Sequence, residues 1–334
     1  MRIGLLGCGR IGQVHAANLH NRAELVFCSE SGVSARHLQS KFGGRVTADL
    51  KEMLGLADLA AIVIATPPHM HAAQVVECLS AGKSVLVEKP LCTTMDEVET
   101  IDRAAKAAAP DCFVMVAENY YYKPSLQIMK ELVANGHLGR LRHLRVRKLT
   151  QQQDSGWKSG YGALLEGGIH FLALISDLVD CALASEPDSP VSPMAVEADF
   201  PSCLTGTAER HSVTSLSYAG DVTARLHYAW DTPSLLRGTF QHSHIEGDAG
   251  RILFESNGLY LRLRGSGTGR RLYGPQLGDL MGYGAMTSDF LACVADPSRK
   301  PYSGLARARR DLGIVFAAYG ALGPEAAADD KERE

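Results

Sequence analysis

The first third of the chain alternates short apolar runs with longer stretches of helical periodicity. RIGLL (2–6), ELVFC (24–28), LAAIVIA (59–65), SVLVEKP (84–90) and CFVMVAEN (112–119) read as strands. Helical patterns lie between them at 9–21, 34–43, 69–82 and 94–109, and the third ends at Gly82, an ordinary left-handed terminator. Strands that are apolar at nearly every position are buried on both faces. Their alternation with helices predicts an α/β arrangement, a parallel sheet covered on both sides.

Beyond residue 120 the pattern changes. Residues 122–139 read as one helix, 141–150 as a strand, and a loop containing Trp157 leads into the apolar run ALLEGGIHFLALISDL at 163–178. After the Pro/Ser-rich stretch EPDSPVSP (186–193) come strands of alternating polarity. In VTARLHYAW (222–230), Val222, Ala224, Leu226, Tyr228 and Trp230 share one face, while Thr223, Arg225 and His227 share the other. That alternation predicts a large, mostly antiparallel open sheet with one buried face. Two helices, near 285–296 and 304–321, are expected to close this second, α+β domain. The expected organisation is a first domain over 1–120, a second over 121–322 and a charged tail over 323–334, with no internal repeat.

Composition narrows the function classes. The 334 residues are 46% hydrophobic, enough to form two cores. Thirty-four basic against 37 acidic residues give a net charge of −3, so nothing points to nucleic acid or an anionic membrane. The apolar runs are too short to span a bilayer. Eight scattered cysteines without a C-x-x-C pattern read as reduced thiols of a cytoplasmic protein, with no zinc site. His242 and His244 face the same way on one strand but lack further ligands, so no metal is expected.

The first candidate site is GLLGCGRIG, which holds Gly7-x-Gly9-x-x-Gly12 directly after a strand and at the start of a helix. That context makes it a dinucleotide fingerprint. Gly7 permits the tight turn, Gly9 lets the pyrophosphate approach, and Gly12 lets helix and strand pack closely. The amides of Arg10 and Ile11 are then at the positive end of the helix, facing the phosphates. The expected fold is therefore a Rossmann doubly wound parallel sheet. Glu30, just past the second strand, suits the adenosine ribose hydroxyls and repels a 2′-phosphate, which favours NAD, while nearby Arg36 keeps NADP open.

The second candidate is the entry to 163–178, where Glu166 and His170 flank Gly167 and Gly168. Read alone, these are an ordinary acidic first turn and a core histidine. The glycines cost roughly 1 kcal/mol each relative to alanine in a helix. On an α-helix the i, i+4 spacing places the carboxylate and imidazole on one face.

With ATPPHMH (65–71) and VEKP (87–90) on the next two strand ends, the chain resembles the Gfo/Idh/MocA oxidoreductases, the glucose–fructose oxidoreductase and inositol dehydrogenase family. The likeness continues through QVHAA after the fingerprint, AENYYYKP (117–124) at the hinge, ELVANGHLGRL, and the Gly-rich entry to 163–178. It implies that Thr66, Pro67, His71, Glu88, Lys89 and Asn119 contact the cofactor. Glu166, Gly168 and His170 take the places of the family's Asp-x-Gly-x-His, so the aspartate is a glutamate here, and Ala173 stands where an acid is often found. The resemblance implies hydride transfer between NAD and a secondary alcohol of a sugar, cyclitol or related polyol. His170 is then the base, Glu166 its electrostatic partner, and Lys89 the cation on the substrate oxygen. The glycines would leave room for substrate and nicotinamide. Tyr120, Tyr122, Trp157 and Lys158 are candidates to line the substrate cleft. A homodimer or homotetramer built on the open sheet face is expected. Two alternatives stay open: an NAD-dependent glycoside hydrolase working by transient oxidation and elimination, and a non-catalytic NAD-binding regulator.

Overall fold

The computed structural model describes residues 1–152, 160–186, 189–201, 203, 207–265 and 269–322. The chain forms two units. One comprises Met1–Glu118 with Tyr283–Ala308, and the other Asn119–Gly282 with the residues from Arg309 on.

The first unit contains β1 (Arg2–Leu6), α1 (Arg10–Leu19), β2 (Glu24–Cys28), α2 (Gly32–Phe42), β3 (Arg45–Val46), α3 (Leu50–Leu54), β4 (Leu59–Ile64), α4 (Pro68–Ser80), β5 (Ser84–Val87), α5 (Met95–Ala107) and β6 (Val114–Val116). The strands form one sheet in the order β3-β2-β1-β4-β5-β6, every pair parallel. Ile3, Leu5, Val26, Phe27, Ile62, Val63, Ile64, Val85 and Val87 are fully or almost fully buried, as strands covered on both faces must be. The strand order switches at β1, with β2 on one side and β4 on the other, and such a switch point marks the place at the carboxyl ends of the strands where such sheets bind ligands. Helix ends follow local chemistry. Thr94 and Glu97 form a reciprocal capping box at the start of α5, and Gly82 (φ 69°) turns the chain after α4.

The second unit opens with a 3₁₀ turn over Asn119–Tyr122, then α6 (Pro124–Ala134) and β7 (Leu141–Leu149). A π-helical turn over Leu164–Gly168 runs directly into α7 (Ile169–Ala182). The remaining strands are β8 (Ala195–Asp199), β9 (His211–Tyr218), β10 (Val222–Ala229), β11 (His242–Gly247), β12 (Gly250–Glu255), β13 (Leu261–Gly265) and β14 (Gly269–Tyr273). They form one sheet with β7 in the order β14-β13-β12-β11-β7-β10-β9-β8. β7 and β10 pair in parallel at the centre and every other pair is antiparallel. Alternation along β10 buries Ala224, Leu226 and Tyr228 under α7 and leaves Thr223 and Arg225 on the open face. A buried ionic network fixes the helices. Arg310 donates to Asp180 Oδ2 (2.6 Å), Asp311 Oδ1 (3.0 Å) and Tyr121 Oη (2.8 Å).

Two features depart from the sequence reading. The helix expected near 285–296 is α8 (Tyr283–Ala295), and it belongs to the first unit, where it packs on α1. The long helix expected over 122–139 stops at Ala134, and Gly136 and Gly139 turn the chain with φ of 70° and 66°. A final helix, α9, spans Leu305–Tyr319.

Candidate functional site

The glycine fingerprint is built as a cradle. Gly7 adopts φ 96°, and a Cβ there would overlap the carbonyl of Ala65. A Cβ on Gly12 would overlap the carbonyl of Gly7, so α1 and β1 can approach only with glycine at that position. Gly9 is different, because among the described residues no atom beyond its chain neighbours lies within 4 Å of where its Cβ would be. It precedes the first turn of α1, which no side chain caps. Open space before uncapped amides at the positive end of a helix fits a dinucleotide pyrophosphate. Arg10 and Glu30 are exposed, and Glu30 follows the carboxyl end of β2 by two residues.

At the next strand ends, the residues expected around the cofactor have partners within the protein. His71 is fully buried, with Nδ1 2.9 Å from the Pro90 carbonyl oxygen and Nε2 2.8 Å from that of Thr66. A neutral imidazole can donate to only one of them. Burial pulls the imidazole below its usual range against the pull of both carbonyls. His71 thus ties the loop after β4 to the loop after β5. Thr66 Oγ1 donates to Gln74 Oε1 (2.6 Å).

Glu88 is buried beside His15 of α1. His15 Nε2 donates to Glu88 Oε1 across 2.7 Å, and Glu88 Oε2 accepts the backbone amide of Lys89 at 3.2 Å. Burial works against the charge on Glu88. The hydrogen bond and charge of His15, with Lys89 and His71 nearby, outweigh it and hold the carboxyl below its usual range. Lys89 itself is half-buried, two residues past the end of β5.

In the second unit, Glu166 lies within the π-helical turn and is buried, while His170 is half-buried in the first turn of α7. The i, i+4 pair therefore straddles a junction between two helical windings, not one continuous α-helix. Such single π turns are common at functional sites. Tyr120 stacks on His170, with ring centroids 4.7 Å apart and planes at 17°. Lys123 Nζ lies 4.2 Å from the centre of the same tyrosine ring and donates to the Ser256 carbonyl (3.1 Å). Asn119 donates to the Met281 carbonyl (2.7 Å), and Tyr122 is buried. Trp157 and Lys158 lie outside the described residues.

The glycine pair serves a different purpose from the one expected. A Cβ on Gly167 would overlap the hydroxyl of Tyr228, and one on Gly168 would overlap Leu164 Cδ1 (2.7 Å) and lie 3.3 Å from the Tyr228 ring. The space is taken by Tyr228, whose hydroxyl accepts the Trp230 indole N–H at 2.8 Å. Burial, with the charge of Glu166 nearby, pushes the Tyr228 phenol far above its usual range. Tyr228 was readable only as an inward position of a strand, and its place beneath the turn follows from the sheet register. Glu209 was not singled out by any motif. It is buried and accepts the amide of Leu164 at 2.7 Å.

Comparison with known proteins agrees with this architecture. The family model for the oxidoreductase family with an NAD-binding Rossmann fold matches residues 1–117, and that for the GFO/IDH/MocA C-terminal domain matches residues 126–253. The chain belongs to the Gfo/Idh/MocA oxidoreductase family, and its first unit is that family's NAD-binding Rossmann domain. Glucose-6-phosphate 3-dehydrogenase of Bacillus subtilis is 26% identical over 202 residues, 55% of each chain. Myo-inositol 2-dehydrogenase of Thermotoga maritima is 29% identical over 150 residues, 44% of each chain. The chain thus matches about half the length of these relatives. The crystal structure of the WlbA dehydrogenase from Bordetella pertussis, in complex with NADH and UDP-GlcNAcA, shares the fold. Its TM-score is 0.75 at 21% identity, covering 96% of this chain and 95% of that one.

Proposed function

We propose that the protein is an NAD-dependent dehydrogenase, or a reductase in the reverse direction, acting at a secondary alcohol carbon of a sugar, cyclitol or related polyol. One observation carries this reading. A single chain combines an open glycine cradle, Lys89 at the carboxyl end of a parallel strand, and His170 on a half-buried helix start preceded by buried Glu166. Bound NAD supplies the hydride acceptor. The chain's own residues hold the oxygen and move the proton. Lys89 Nζ donates to the substrate oxygen, a ring nitrogen of His170 takes the hydroxyl proton, and the Glu166 carboxylate favours the imidazolium that results. The substrate class is supported by the names of the relatives, which act on glucose 6-phosphate and myo-inositol.

The test is a panel of sugars, cyclitols and aminocyclitols with NAD and with NADP, followed by net reduced-cofactor formation. The expected result is NADH production with at least one polyol. Glycoside cleavage without net NADH, or tight NAD binding with no turnover on the whole panel, would contradict the reading.

We further infer that the chain forms a homodimer or homotetramer through the open face of its second sheet, whose other face is covered by α7. Light scattering at micromolar protein should give a multiple of 35.9 kDa, and a mass equal to that of one chain would count against it. Eight free cysteines suit a reducing, cytoplasmic setting, which fractionation of the source cells would check.

A further inference from the structure

We propose that Glu209 is a positioning residue for the reaction, which together with Tyr319 holds the first amides of the turn carrying Glu166 and leading to His170. The proposal rests on the role assigned above to His170. A helix start leaves its first N–H groups without intrahelical partners, and the nearest side chain normally caps them. Here the residue before the turn is Ala163, which has no side chain able to do so. The caps come instead from residues far along the chain. The amide of Ala163 donates to the Glu209 carbonyl (2.9 Å), and the amide of Leu164 to Glu209 Oε1 (2.7 Å). The amide of Leu165 donates to Tyr319 Oη (3.1 Å), and Tyr319 Oη donates to the same Glu209 Oε1 (2.8 Å). Three consecutive amides are therefore held by one carboxyl group, its own carbonyl and one phenol.

Two further observations show that this arrangement is costly and deliberately housed. Glu209 is 2% exposed, and its second oxygen, Oε2, is buried without a hydrogen-bond partner. An orphaned buried carboxyl oxygen costs about 1–3 kcal/mol and more if charged. A plain amide cap on a solvated helix would avoid that cost. At Gly162 a Cβ would overlap both the Tyr319 hydroxyl and Glu209 Oε1, so only glycine admits the pair.

The groups facing Glu209 are Tyr319 from α9, the amides of the turn, Tyr228 of β10 and the neighbouring Arg210, whose guanidinium donates to the Tyr161 carbonyl at 2.8 Å. Glu166 shares the surroundings of Tyr228 with it, and Cys203 also lies within its field. Burial pushes the Glu209 carboxyl up to about 7, against the pull of the Leu164 amide, Tyr319 and Arg210. Around neutral pH the clamp thus changes between a neutral acid and a carboxylate, and hydrogen bonds to the charged form are the stronger.

The full chain is tested as Glu209→Gln and, separately, as Tyr319→Phe. Amide hydrogen exchange at residues 163–165 is read at pH 6 and 8, alongside NAD affinity, kcat and KM. The expected result is exchange about tenfold faster at Leu164 in Glu209→Gln, where the charged acceptor is lost, and severalfold faster at Leu165 in Tyr319→Phe, where the accepting hydroxyl is removed. kcat should fall about tenfold with NAD affinity unchanged. The wild-type excess protection at pH 8 should vanish in Glu209→Gln. Unchanged exchange in both variants overturns the clamp. Faster exchange with unchanged kcat overturns the positioning role. If Glu209→Gln does not fold, Tyr319→Phe carries the same outcomes. The exchange arm needs no activity, so a failure of the His170 assignment, seen as an active His170→Ala protein, is distinguishable from a failure of this one.

Discussion

The ring of Tyr120 lies parallel to the imidazole of His170, at 4.7 Å between centroids and 17° between planes. The stack restricts the plane of the imidazole at the start of α7. A stacked aromatic pair contributes about 0.5–1.5 kcal/mol beyond its buried area. Tyr120→Phe should keep the stack and most of the turnover, whereas Tyr120→Leu should lower kcat about two- to tenfold. Equal kcat in Tyr120→Leu and wild type would show that the stack does not hold His170.

Gly167 and Tyr228 form a second such pair, this time by exclusion. Because a Cβ on Gly167 would overlap the Tyr228 hydroxyl, Gly167→Ala should lower stability by about 1–3 kcal/mol, as overpacking does, and depress turnover. Removing the hydroxyl in the double variant Gly167→Ala/Tyr228→Phe should recover part of the loss. Chemical denaturation and kcat on the two variants check this. No recovery in the double variant would place the strain elsewhere.

Glu88 gives a pH dependence of definite sign. Its carboxyl is held below its ordinary 4.5 despite burial, so its ionised form is favoured by folding. Its contribution is complete above that ordinary value and is lost as pH falls through the lower folded value. Glu88→Gln keeps a hydrogen-bonding shape beside His15 but loses the charge. It should cost about 1–3 kcal/mol at pH 7, and the gap to wild type should shrink toward pH 3. Urea titrations between those limits test it, and a gap independent of pH would contradict the assignment.

Cofactor preference should follow Glu30, exposed just beyond β2. Glu30→Ala should weaken NAD binding and improve the relative use of NADP, since a like charge beside the 2′-phosphate is removed. Wild-type protein that binds NADP more tightly than NAD would refute this role.

Much of this architecture was legible in the residue pattern, and the exceptions have physical causes. The runs at 2–6 and 24–28 coincide with β1 and β2, because a strand buried on both faces must be apolar at nearly every position. β3 and α3, two and five residues long, are too short to show a period. Alternation along 222–230 identified the buried face of β10, but it carries no direction, and the parallel pairing of β10 with β7 could not be read from it. The fingerprint was legible because each glycine answers a steric demand within a few residues. The glycine at 167 answers a demand made by Tyr228, far along the chain, which no local pattern around 167 reveals. The π-helical winding at 164–168 left no periodic mark either. Glu209 is a lone carboxylate before a strand, and only the fold brings it to the turn.

The central claim is that His170 is the base, and the most direct measurement is turnover of His170→Ala alongside its affinity for NAD. kcat should fall by roughly 10²–10⁴, the range for a positioned acid–base group, while NAD affinity stays within about twofold of wild type. A His170→Ala protein that turns over at the wild-type rate would contradict the account and return His170 to the role of a packing histidine stacked on Tyr120.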